Sequence, residues 1–276
     1  MVRPEYALTP AVRAALPELP WHLPAQRLGL GEESAAYRLG DVVVRVGPVW
    51  RTDAEILWFG ELAATARTFV PEAIAPLRAP VRVGGHPVTV WPFVEGEPTR
   101  RGNPQSRAQA ARILAGIHAA LATAPGTRVT AMTQADAADL HDPELDAWIA
   151  EFDRAGGRVQ ALHGDFWPGN SLTSADGRIV AVLDWDDAWV QRRERELAHA
   201  AWEWGDGLDT GSLDGVREFL AAYGEHGLDE VALRQLIRER LRFEIRYARS
   251  RPEVLDDDDL VYHADQAAAF HALRPS

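Results

Sequence analysis

Two neighbouring stretches decide how this sequence is read: His163-Gly164-Asp165-Phe166-Trp167-Pro168-Gly169-Asn170, and Leu183-Asp184-Trp185-Asp186-Asp187 a short distance downstream. Between them, apolar runs flank Ser174–Gly177, a sequence suited to a hairpin turn. Together they offer a carboxylate at Asp165, an amide five residues later at Asn170, and a second carboxylate at Asp184 after the hairpin. Either piece alone is an ordinary turn or strand-end cap, because Asp, Asn, Pro and Gly all favour turns. Their joint occurrence in this order meets a defined chemical need. A reaction that moves a phosphoryl group requires an oriented hydroxyl and a metal on hard oxygen ligands, and little covalent help from the protein.

Upstream, the pattern is that of strands. Gln26–Tyr37 carries Gly29 and Gly31 in a polar turn, and Val42–Val46 is a β-branched run with Arg45 as its single polar member. Thr52 and Glu55 have capping-box spacing, with Ile56, Phe59, Leu62 and Ala63 following at helical intervals. Val81–Val83, the Gly84-Gly85 pair and Val88–Val94 predict a hairpin. Glu95–Pro104 has linker composition. Beyond it, Ser106 and Gln109 suggest a second capping box opening a helix to Leu121, and Pro143–Ala155 predicts another. From Glu194 onward the periodicity is helical throughout. The expectation is an α+β chain with a small β-rich N-lobe over 1–94, a hinge at 95–104 and a larger, mostly helical C-lobe over 105–276.

Whole-chain properties narrow the class. The 276 residues, 46% hydrophobic and 25% charged, have the composition of a globular protein. Neither a membrane-length apolar run nor the apolar stretch of a signal peptide is evident, and cysteine is absent, which together point to the cytoplasm. The net charge of −12 argues against a nucleic-acid partner and would suit a cationic one. Lysine is also absent: all 29 lysine-plus-arginine positions are arginine.

The run His-Gly-Asp-x-x-x-x-Asn followed by Asp-Trp resembles the aminoglycoside phosphotransferase and choline kinase family, relatives of the protein kinases. The resemblance extends from about Leu28 to the C-terminal helices. It implies a two-lobed protein-kinase-like fold with ATP in the cleft and a magnesium ion. Asp165 would be the catalytic base, Asn170 and Asp184 the magnesium ligands, and His163 a support of the loop. Arg193–Ala198 resembles the family segment ending in Asp-Leu-Ala, with Glu196 in the acidic position as a structural anchor. On the nucleotide side Arg45 would replace the strand lysine, with Glu55 as its ion-pair partner. Gly29, Gly31 and Ser34 would cover the phosphates, and Phe93 and Val94 would belong to the adenine hinge.

The acceptor is expected to be a small molecule with a hydroxyl group, such as an aminoglycoside, an amino alcohol or a sugar. Asp186, Asp187, Glu203, Asp206 and Asp256–Asp259 are candidate contacts for a cationic acceptor, and Trp189, Trp202 and Trp204 a candidate aromatic wall, with Trp202 the best candidate for a core position instead. A nucleotide-binding pseudokinase serving as sensor or scaffold is the alternative, motivated by Arg45 and the short glycine loop.

Overall fold

The computed structural model describes residues 6–28, 34–126, 134–252 and 255–275. A short helix, α1 (Pro10–Ala15), precedes the strands β1 (Gln26–Leu28), β2 (Ala35–Leu39) and β3 (Val42–Val46). Helix α2 (Asp53–Arg67) follows, then β4 (Val81–Val83) and β5 (His86–Pro92). These strands form one antiparallel sheet in the order β1-β2-β3-β5-β4. Strand parity explains the orientation of β3. Val44 and Val46 are buried in a small core with Val12, Leu16, Val88 and Val90, which sends Arg45 to the opposite face, where Val43 packs against the main core.

Helix α2 begins as expected. Thr52 Oγ1 accepts from the Glu55 N–H at 3.2 Å, and Glu55 Oε2 accepts from the Thr52 N–H at 2.8 Å. Its apolar face, with Phe59, Leu62 and Ala63, joins the main core.

A two-residue strand, β6 (Glu97–Pro98), lies inside the expected linker and pairs with β8 (Ser171–Thr173), which forms a hairpin with β9 (Ile179–Val182). Helix α3 runs Pro104–Ala120, two residues longer at its start than the capping-box reading expected. Proline fits the first helical position, and Asn103 supplies the cap by accepting from the Gln105 and Ser106 N–H groups. Gln109 is thereby free to bond both backbone groups of Ile179, which ties α3 to the hairpin.

Helix α4 (Pro143–Arg154) leads into β7 (Val159–Leu162), which pairs with β10 (Trp189–Arg192), a strand that the sequence pattern did not suggest. The remainder is helical: α5 (Arg193–Trp204), α6 (Gly207–Thr210), α7 (Asp214–Tyr223), α8 (Glu230–Arg249) and α9 (Asp257–Ala272). Asp256–Asp259, a candidate contact run for a cationic acceptor, opens α9 through a capping box between Asp256 and Asp259. Among the described residues no helix is long and apolar enough to cross a membrane.

Candidate active site

Asp165 lies just beyond the end of β7, Asn170 at the start of β8 and Asp184 just past β9. The Leu183 N–H donates to the Asn170 carbonyl at 2.8 Å, so Asn170 and Asp184 flank one hydrogen bond at the open end of the β8–β9 hairpin. Asn170 Nδ2 donates to Asp165 twice, to its backbone carbonyl at 3.0 Å and to Oδ2 at 2.7 Å. Asp184 has φ +59°, a left-handed conformation that non-glycine residues rarely adopt and that often marks functional loops.

His163, fully buried, ties the two acidic loops together. Its Nε2 lies 2.9 Å from the Leu183 carbonyl, which can only accept, so Nε2 carries the proton. Nδ1 is then free to accept the Asp165 N–H at 3.3 Å. The ring packs against Trp185, with centroids 4.6 Å apart. Glu196 holds the same loop from α5. It accepts the Gly164 N–H with one oxygen, and its other oxygen lies 2.7 Å from His118 Nε2. Burial opposes its charge, but the hydrogen bond and charge of His118 prevail and hold the carboxyl below its ordinary range.

Arg45, expected in the place of the kinase lysine, reaches the loop after β9. Arg45 Nη2 lies 3.1 Å from Asp184 Oδ1, 3.0 Å from Asp186 Oδ2 and 3.0 Å from Ser34 Oγ. The expected pairing with Glu55 is not what the structure has. Arg45 turns to the aspartates, whereas the Glu55 carboxylate is engaged by Thr52 at the start of α2. Asp184 is consequently held below the ordinary carboxylate range: burial works against its charge and Arg45 outweighs it.

A second arginine, Arg51, is buried, 4% exposed. It reaches Asp187 at 3.3 Å and stacks over Trp50 at 4.4 Å. Sequence reasoning missed it; its place one residue before the Thr52 cap was the available signal. Asp186 and Asp187, candidates for acceptor contact, therefore face arginines.

Gly29 and Gly31 lie outside the described residues, while Ser34 is brought to Arg45. The Phe93 N–H donates to the Asp41 carbonyl at 2.8 Å and its ring lies under Arg38, so Phe93 cannot offer that N–H to an adenine. Val94 packs against the main core. The aromatic-wall reading fails for Trp202 and Trp204, each 2% exposed. Glu203 is also buried, bound to Arg101 at 2.6 Å.

For magnesium, the donor set fits. Asn170 and Asp184 place hard oxygens at one hairpin mouth, and the described residues contain no group of three or more His, Asp or Glu able to cage a metal alone. Magnesium is usually bound by one or two carboxylates with phosphate oxygens and water.

A sequence model described as "Phosphotransferase enzyme family" matches residues 24–236. The chain belongs to the phosphotransferase enzyme family. No curated protein matches it. Among solved structures, the phosphotransferase is similar to the GDP and kanamycin complex of APH(2")-IIia, with 16% identity, 95% of this chain and 97% of that chain covered, and a TM-score of 0.66. It is similar to a choline/ethanolamine kinase family protein from Mesorhizobium loti, with 18% identity, 98% and 96% covered, and a TM-score of 0.64. The microcompartment-associated aminopropanol kinase gives 16%, 94% and 94%, and a TM-score of 0.70. At these identities the likeness establishes the fold, the two-lobed arrangement of the small-molecule kinases.

Proposed function

We propose that this phosphotransferase moves the γ-phosphoryl group of ATP, with magnesium, to a hydroxyl of a small molecule in the cytoplasm. The observation that carries the reading is the hydrogen-bonded Asp165–Asn170 pair set beside Asp184 at one hairpin mouth. Asp165 Oδ1 would receive or orient the acceptor hydroxyl proton, while Asn170 fixes the carboxylate through Oδ2. Asn170 and Asp184 would hold the magnesium ion, which supplies charge neutralisation at the phosphate oxygens.

Arg45 would grip phosphate in place of lysine, exchanging Asp184 and Asp186 for phosphate oxygens when the nucleotide binds. Ser34, beside Arg45, would belong to the same phosphate cover as Gly29 and Gly31. Glu55 would act on the nucleotide side only through the start of α2, as the cap it forms with Thr52. The adenine hinge falls to the Phe93 carbonyl and to Val94. The GDP and ADP bound in neighbouring structures support a nucleotide donor, and the kanamycin and spectinomycin bound beside them, with the aminopropanol kinase, support a small hydroxylated acceptor.

The test is transfer from ATP with magnesium to a panel of aminoglycosides, amino alcohols, hydroxy acids and sugars, using wild type and Asp165→Asn. Product with the wild type and a loss of turnover in the variant are expected. Turnover that survives Asp165→Asn would overturn the assignment of Asp165. Magnesium-dependent ATP binding with no product from any acceptor would favour the pseudokinase reading.

A further inference from the structure

Beside Asp165, helices α5, α8 and α9 meet at Glu244, which binds His199 of α5 and Gln266 of α9, and the glutamates there have guanidinium partners. Glu203 of α5 is paired with Arg101, and Glu244 of α8 with Arg240 at 2.6 Å. A purely cationic acceptor entering here meets two carboxylates that already have guanidinium partners and two arginines that repel it.

Arg240 differs from the other arginines of this wall. Its Nε is bound to Glu244 Oε1, and Glu244 is itself fixed by Gln266 at 2.6 Å and by His199 Nε2 at 3.0 Å. The guanidinium is thus oriented from behind. Its Nη2 lies 3.5 Å from Asp165 Oδ1. The side chain is 19% exposed, so the fork beside Asp165 is not fully solvated. A planar fork held through Nε, whose Nη2 comes no closer than 3.5 Å to Asp165, can bind a carboxylate or a phosphate through two parallel charge-assisted hydrogen bonds. Asn170 already occupies Oδ2 of Asp165, so an acceptor hydroxyl on Oδ1 would place its neighbouring carbons beside this fork.

We infer that Arg240 determines acceptor specificity by binding the carboxylate of a small hydroxy acid, amino acids with a side-chain hydroxyl included, whose hydroxyl rests on Asp165. The reaction in this statement rests on the phosphotransferase reading above; the binding does not.

Pairs of compounds that differ only by a carboxylate give the test: L-serine against ethanolamine, and L-homoserine against 3-amino-1-propanol, with kanamycin as the polycation. Binding to the nucleotide-free protein is read by calorimetry and turnover by steady-state kinetics, for wild type, Arg240→Gln and Arg240→Lys. The wild type should favour the carboxylated member of a pair by about ten- to a hundredfold, the range of charge-assisted hydrogen bonds. Arg240→Gln should collapse that ratio towards one, chiefly through KM, and Arg240→Lys should restore part of it. Arg240→Lys carries the test if melting shows that Arg240→Gln does not fold.

Preference of the wild type for ethanolamine, 3-amino-1-propanol or kanamycin would overturn the inference and leave phosphoryl transfer standing. So would an equal fall in kcat for both members of a pair in Arg240→Gln, which would assign the fork to the transferring phosphoryl group. Absence of both binding and turnover with the carboxylated members also overturns it. Arg240-dependent binding of a hydroxy acid without product from any acceptor would uphold the specificity and refute the phosphotransferase reading.

Discussion

Replacing Glu196 by alanine should damage stability and catalysis through the same contact. Glu196 is 3% exposed and reaches the catalytic loop from α5, accepting the Gly164 N–H with one oxygen and meeting His118 with the other. His118 in turn lies 2.8 Å from the Tyr223 hydroxyl, and its carbonyl accepts from Gln160, so the carboxylate closes a chain of buried polar groups. Truncation leaves the Gly164 N–H without its partner and His118 facing a void. Removing one member of a buried charged pair costs about 3–5 kcal/mol. With total stabilities of about 5–15 kcal/mol, that is a large share.

Urea unfolding should therefore show a midpoint lowered by roughly 1 M or more, taking a slope of about 3 kcal/mol/M. Turnover of the folded fraction should fall about a hundredfold, because a loop displaced by about 1 Å misplaces Asp165. Glu196→Gln separates charge from hydrogen bonding. Its amide oxygen can still accept from Gly164, and His118 can change tautomer so that Nε2 accepts and Nδ1 donates to Tyr223. That variant should recover most of the activity at a cost of about 1–2 kcal/mol. If Glu196→Ala unfolds within about 1 kcal/mol of wild type and turns over normally, Glu196 does not anchor the loop.

Three further outcomes follow from particular contacts. Gly164 has φ +92°, and a Cβ there would fall 1.8 Å from the Asp187 carbonyl oxygen, so Gly164→Ala should abolish turnover by pushing the two acidic loops apart, read as lost product formation in a protein with near-native circular dichroism. Arg45→Gln should raise KM for ATP by about tenfold or more while Arg45→Lys recovers part of it; unchanged nucleotide affinity in Arg45→Gln would remove Arg45 from the phosphate site. Asp142, 1% exposed, caps α4 and binds Arg274 at 2.6 Å and the fully buried Arg238. Burial opposes its charge, yet the Leu145 N–H and the two arginines hold its carboxyl far below the ordinary value of 3.8. A depressed folded-state pKa contributes stability that is complete above the unfolded value and is lost as pH falls below it, so Asp142→Asn should be less stable than wild type at pH 7 and the gap should narrow below about pH 4 in thermal melts.

What the sequence made legible is what depends on short-range order. The Thr52–Glu55 box, the Gly84-Gly85 hairpin and the motif from His163 to Asp184 are each written within about twenty residues, and spacing is enough to read them. Pairings across the cleft are different in kind. Arg45 and Asp184 are 139 residues apart, Arg51 and Asp187 136, and Arg101 and Glu203 102. Arg45 could be assigned to Glu55 from sequence because a nearby acid at the start of a helix is the plausible partner. The fold gave Glu55 to Thr52 and brought Asp184 and Asp186 to Arg45 from the other side of the cleft. Arg240 was concealed more thoroughly, in an α8 stretch where arginine and glutamate alternate and every pair looks like a solvated i,i+4 bridge. Packing of α8 against α5 and α9 sets it apart, because His199 and Gln266 bind Glu244, which holds Arg240 beside Asp165. A lysine-free chain thus brings arginines to both aspartate loops, Arg45 to Asp184 and Asp186 and Arg240 to Asp165, and the position of each guanidinium is set by what holds its other atoms.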